Sequence, residues 1–196
     1  GELGKTECWY IIDAEPGAEI VYGDNAKTRE ELAAMIEEGR WDDLLTRVPV
    51  KKGGFFYVPS GTIHAIGQGL MILETQQSSD TTYRVYDYDR RDDQGNLREL
   101  HIQQSIDVTT VPARTPELNI SEVKHGASSV VTYLQTDFFN VYEWQVRGSL
   151  DLKAGAPYTL MTVVDGFGKL VIDGQSYDMA KGTSCILPNG IANWKI

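Results

Sequence analysis

The stretch Gly53–Arg84, GGFFYVPSGTIHAIGQGLMILETQQSSDTTYR, decides how this chain folds. Gly53 is followed by five residues, Pro59, one residue, Gly61, two residues and His64. Phe55 to Val58 reads as a strand that Pro59-Ser60-Gly61 then turns, because Pro presets its own φ and Gly accepts a positive one. A histidine placed just after such a turn opens the next strand and is aimed by it. Glu74, Asp80 and Arg84 follow at short intervals. Neutral imidazole is a common zinc ligand. The stretch therefore reads as a metal-binding turn with ionisable groups beside it.

The same spacing returns later in the chain. Gly182, five residues, Pro188, one residue and Gly190 repeat the turn, and each copy follows a lysine. Asn193 holds the place in the second copy that His64 holds in the first. A repeated supersecondary unit implies two similar β units, one with the ligand and one without it.

The rest of the chain fits around these copies. Cys8–Ile12, Glu19–Tyr22, Val48–Val50 and Leu70–Leu73 read as strands of the first unit. Thr28-x-x-Glu31 is a capping box, with Leu32, Met35 and Ile36 at helical spacing and Gly39 as the stop. A small α-helical insertion is thus expected near 28–46, with Trp41–Leu45 as its second helix. Leu100–Ile106 reads as another short helix, and Asp87–Asp93 (DYDRRDD) as a solvated loop. Val111–Glu117 (VPARTPE), with its two prolines and no apolar period, reads as a linker. The expected units are 1–110 and 111–196. In the second, Phe139–Val146, Thr159–Val164, Lys169–Ile172 and Ser184–Leu187 read as strands, with turns at Asp165-Gly166 and Asp173-Gly174. The chain ends six residues after Gly190, which is read as short of a closing strand.

Composition narrows the function classes. The net charge is -10 and the pI about 4.7, so the basic footprint of a nucleic-acid binder is absent. An anionic substrate would need local Lys and Arg to overcome this field. No apolar run approaches the roughly 18 residues of a membrane span, and no membrane partner is expected. Gly1-Glu2-Leu3-Gly4-Lys5 does not read as a signal peptide. Cys8 and Cys185, the two cysteines, lie in apolar strand-like runs and read as reduced core thiols. A cytoplasmic setting fits.

Gly-(five)-Pro-x-Gly-(two)-His resembles the second signature of the cupins, small jelly-roll β-barrels; the signature's final Asn is Gln68 here. The resemblance implies a mainly β chain of two cupin units, the first incomplete at its N-terminus and the second degenerate and metal-free. Three ordered motifs narrow it further: Gly4-Lys5-Thr6-Glu7-Cys8-Trp9-Tyr10, VPSGTIHAI and LETQQSSDTTYRVYDYDR. Together they resemble the short bacterial type I mannose-6-phosphate isomerases.

That family holds one zinc ion per active site with a Gln-x-His pair, a Glu and a second His. The resemblance places the Glu at Glu7 and the second His at His64, and implies the Gln-x-His pair upstream of Glu7. It implies that this chain is the C-terminal portion of a longer enzyme, inactive by itself and weak in zinc. It makes Arg84 the catalytic arginine, a fixed positive charge beside a developing enediolate. From residues alone, Arg84 also reads as an ion-pair partner of Glu74 or Asp80. If Thr81–Tyr86 is a strand, Thr82, Arg84 and Tyr86 share a face. Lys5, Glu74 and Asp80 are the expected substrate-binding residues, and the substrate is a phosphorylated hexose. The implied reaction interconverts mannose 6-phosphate and fructose 6-phosphate through a cis-enediol. His101 and His125 lack a ligand context. Two other classes use the same barrel. A metal-dependent cupin oxygenase supplies several histidines where only His64 is well placed, and a non-catalytic sugar-binding cupin does not need Arg84.

Overall fold

The apolar run around Trp9 forms β1 (Glu7–Ala14), and the next run forms β2 (Glu19–Asp24). Then α1 (Arg29–Glu37) and α2 (Trp41–Leu44) lead into β3 (Leu45–Pro49), β4 (Phe55–Val58), β5 (His64–Ile66), β6 (Leu70–Gln76) and α3 (Ile102–Val108). These elements come from a computed structural model that describes residues 4–196. The chain divides into two units, Gly1–Leu118 and Asn119–Ile196.

The first unit is built on two sheets, β4-β1-β6 and β3-β2-β5. Trp9 and Val58 from one pack against Ile20 from the other, with Tyr22, Val48, Phe56 and Ile72 around them. The opposite face of β2 meets the helices, where Val21 packs with Leu32, Met35, Ile36 and Leu44. The helical insertion thus exists because β2 carries apolar residues on both faces. The expected cap is present: the Thr28 side chain accepts from the Glu31 amide, and Glu31 Oε2 accepts from the Lys27 amide at 2.7 Å. Gly39, with φ 66°, follows the end of α1.

The second unit contains β7 (Ser121–His125), β8 (Ser128–Gln135), β9 (Asn140–Gln145), β10 (Asp151–Lys153) and β11 (Thr159–Thr162). It continues with β12 (Phe167–Ile172), β13 (Gln175–Ala180), β14 (Ser184–Leu187) and β15 (Asn193–Lys195). Its core gathers Met161, Leu170, Met179, Leu187 and Trp194. Asp173 and Gly174, at φ 49° and 79°, make the tight hairpin between β12 and β13.

The sequence repeat is a repeat of topology. The β1-β4, β2-β3 and β2-β5 pairings recur as β11-β14, β12-β13 and β12-β15. Thr62 N donates to Pro59 O at 3.1 Å, and Ile191 N to Pro188 O at 3.3 Å. Gly61 and Gly190 both take positive φ, 86° and 104°. At Gly61 a Cβ would also fall 2.8 Å from the Val108 carbonyl, so Gly is required there twice over.

Three expectations need correction. Residues 77–84 form no strand, so the period-two reading of Thr82, Arg84 and Tyr86 fails: no neighbouring strand pairs with them. Asp87 is buried, only 6% exposed, because Arg98 and Arg90 neutralise it; the rest of the expected solvated loop, residues 88–93, is exposed. The last residues do form a closing strand, since β15 pairs with β10 and β12. The expected mainly β architecture with its small helical part holds. No helix among the described residues is long and apolar enough to cross a membrane.

Candidate metal centre

Glu7 and His64 arrive from different sheets. Glu7 begins β1 on the face that also carries Trp9, and in register it opposes Val58 and Gln76. His64 begins β5 directly after the turn and opposes Tyr22. The sheets pack face to face through Trp9 and Ile20. This brings His64 Nε2 to 3.4 Å from Glu7 Oε1.

Each group is held by a second partner. The His64 Nδ1 lies 2.7 Å from the Thr62 carbonyl. A carbonyl only accepts, so Nδ1 carries a proton there and Nε2 is the ring nitrogen that faces Glu7. Trp9 Nε1 donates to Glu7 Oε1 at 2.9 Å, and the Trp9 and His64 rings meet edge to face at 5.5 Å. Glu7 is 1% exposed. Its Oε2 accepts no hydrogen bond among the described residues, although Lys5 Nζ stands 2.7 Å away as an ion pair. A buried carboxylate needs compensation of this kind.

Two acceptors facing each other at 3.4 Å repel unless a proton or a cation lies between them. Two donors about 2.0–2.1 Å from one tetrahedral zinc stand about 3.4 Å apart. The pair therefore fits a zinc ion in chemistry and in spacing. It supplies two donors only: among the described residues no three His, Cys, Asp or Glu side chains cluster for a metal. Tight zinc sites use three or four ligands.

Lys5, Glu7 and His64 thus come together. Glu74 lies opposite Trp9 on β6, on the same face, and is exposed. Gln76, which the sequence reading passed over, also shares this face and accepts from Lys5 Nζ at 3.0 Å. Period-two alternation from Glu74 would have found it. Asp80 is exposed in the irregular segment after β6.

Arg84 has different partners from those expected. Among the described residues no ion pair joins it to Glu74 or Asp80. Its Nη1 donates to the Glu99 carbonyl at 3.0 Å, and its backbone meets His101, which precedes α3. His125 closes β7 in the second unit.

The second unit repeats the frame without the Glu and the His. Val58 opposes Glu7, and Leu187, at the matching place of the repeat, opposes Thr159. The Glu and His positions are therefore Thr159 and Asn193, neither of them a usual zinc ligand.

A family model described as mannose-6-phosphate isomerase, cupin domain, matches residues 129–196. Over its whole length the chain is 56% identical to a mannose-6-phosphate isomerase of Streptococcus mutans, of which it covers 61%. The crystal structure of the mannose 6-phosphate isomerase from Bacillus subtilis matches with a TM-score of 0.96 and 42% identity, over 100% of this chain and 62% of that one. A zinc-bound mannose 6-phosphate isomerase matches at 13% identity and a TM-score of 0.72, over 97% of this chain and 63% of that one, a likeness of fold alone. The chain spans 61% and 62% of the length of two curated relatives it matches.

Proposed function

The chain belongs to the mannose-6-phosphate isomerase family, and on that premise we propose that its first unit carries part of the active site for interconverting mannose 6-phosphate and fructose 6-phosphate. The observation that carries this reading is the 3.4 Å approach of His64 Nε2 to Glu7 Oε1, with His64 Nδ1 tied to Thr62.

Glu7 and His64 hold a zinc ion, whose remaining ligands come from outside this pair. When bound, the metal supplies Lewis acidity toward the sugar's carbonyl and hydroxyl oxygens. Trp9 and Thr62 orient the two ligands through their second hydrogen-bonding atoms. Lys5 balances the buried Glu7 carboxylate and adds positive charge toward the anionic substrate, which the net charge of -10 otherwise repels. Glu74 and Asp80 accept hydrogen bonds from sugar hydroxyls.

The reaction moves a proton between C2 and C1 through a cis-enediol. Arg84 stays protonated and stabilises the negative charge that develops on the enediolate. The second unit, with Thr159 and Asn193 in the ligand positions, binds no metal. Free Cys8 and Cys185 suit a reducing, cytoplasmic setting.

The test is fructose 6-phosphate formation from mannose 6-phosphate by the natural full-length protein and its His64→Asn variant, the residue that the second repeat carries. The expected result is turnover with one zinc ion per chain, and loss of both zinc and turnover in the variant with an unchanged circular dichroism spectrum. Full turnover by His64→Asn would refute the assignment.

A further inference from the structure

Arg84 lies in no helix or strand, yet its backbone is held at both polar atoms. His101 N donates to Arg84 O at 2.7 Å. Arg84 N donates to His101 Nδ1 at 3.2 Å. The pair closes the neck of the excursion that runs from Val85 to Leu100. Deeper in that excursion, Arg98 Nε donates to Asp87 Oδ2 at 2.7 Å, and Arg91 bridges to Leu97.

His101 is itself anchored. It occupies the N-cap position of α3, and Ser105 N donates to its carbonyl at 2.8 Å. Ile102 and Ile106 of α3 pack on the helical core of the unit. At the far end of the helix, Arg29 Nη2 donates to the Thr109 carbonyl at 3.2 Å. An N-cap side chain ordinarily accepts from its own helix and stabilises it. The His101 side chain makes no cap hydrogen bond. Its acceptor goes instead to Arg84, a residue 17 positions away.

We propose that His101 is the positioning residue for Arg84: its unprotonated Nδ1 and its backbone N–H together fix the Arg84 backbone, and so the origin of the guanidinium. The inference rests on the reading that Arg84 stabilises the reacting sugar. Nδ1 must be bare to accept from the Arg84 amide. The neutral ring therefore carries its proton on Nε2, which lies 4.0 Å from the Glu99 carboxylate.

The experiment compares His101→Ala and His101→Asn in the natural full-length protein. The Asn side chain places an oxygen close to where Nδ1 stands; Ala places nothing. The first readout is hydrogen exchange at the Arg84 amide. It should quicken about tenfold in His101→Ala, the worth of one hydrogen bond, and return to within a few-fold of wild type in His101→Asn. The second readout is turnover. The Ala variant should lose kcat with KM nearly unchanged, and the Asn variant should recover most of it.

Wild-type exchange at Arg84 in His101→Ala would overturn the proposal. So would fast exchange with undiminished kcat, or an Asn variant as fast-exchanging as the Ala one. The catalytic reading fails separately: it falls if Arg84→Ala keeps its turnover, whatever the amide exchange shows.

Discussion

His64 and Glu7 stand on strands of two different sheets, yet His64 Nε2 reaches to 3.4 Å from Glu7 Oε1. Neither strand alone makes this contact. It depends on the core between the sheets, where Trp9, Ile20 and Val58 are all essentially inaccessible. The same Trp9 both fills that core and bonds the carboxylate at 2.9 Å. Core packing and the orientation of the Glu7 carboxylate therefore share a residue.

Trp9→Phe separates those two tasks. Phe retains the aromatic bulk of the core and removes the indole N–H. Zinc affinity of the natural full-length protein should fall about 10- to 100-fold, the usual cost of losing a partner that orients a ligand. Chelator competition measures it. An unchanged affinity would mean that Glu7 needs no orientation from Trp9.

Arg84→Ala should reduce kcat by about 100- to 1000-fold, as loss of one preorganised charge-stabilising donor does. Zinc content and the unfolding midpoint should stay at wild-type values. Steady-state kinetics, metal analysis and thermal unfolding check the three parts. Near-normal turnover would remove Arg84 from the chemistry.

Much of this was legible in the amino-acid order. The glycine and proline spacing foretold the turn at Gly61 and its copy at Gly190. It also foretold two similar β units, with His64 in one and Asn193 at the matching place of the other; β15, where Asn193 lies, was not foretold, because its three residues are too few to carry a pattern. Backbone demands of this kind are local, so local residues reveal them. Arg84 was harder. Thr82, Arg84 and Tyr86 alternate as a strand would, but alternation cannot supply the neighbouring strand that a ladder requires. The real partner is His101, 17 residues later, and no period marks such a pair. Asp87 misled for a related reason: its loop is rich in charge, and only the fold brings Arg98 onto it. Glu7 was assigned by resemblance, because a single carboxylate beside an apolar strand has no spacing signature of its own.

Asp87 makes the loop after Arg84 sensitive to acid. The Arg98 side chain, hydrogen-bonded to it, holds the Asp87 carboxyl below the usual carboxylate range. A group whose folded pKa is depressed stabilises the fold above its unfolded pKa, about 3.9, and loses that contribution as pH falls through the lower folded value. Amide protection between Val85 and Leu100 should therefore persist from neutral pH down to about 4 and decline below it. Asp87→Asn should show weakened protection throughout. Equal protection of both proteins near neutral pH would contradict the ion pair.

The thiols offer a check on the core. Burial pushes Cys8 up to about 12, so the reactive thiolate is scarce at neutral pH. Burial also raises Cys185, which is partly accessible. Iodoacetamide should modify Cys185 first and reach Cys8 only in denaturant, as peptide mass mapping would record. Rapid native-state labelling of Cys8 would be inconsistent with its place in β1.

The proposed function has Glu7 and His64 share one zinc ion. Anomalous diffraction at the zinc edge, from zinc-loaded crystals of the natural full-length protein, tests it most directly. A single strong peak is expected about 2.0–2.2 Å from both a Glu7 carboxylate oxygen and His64 Nε2. A fully occupied zinc site that leaves either residue uncoordinated would contradict it.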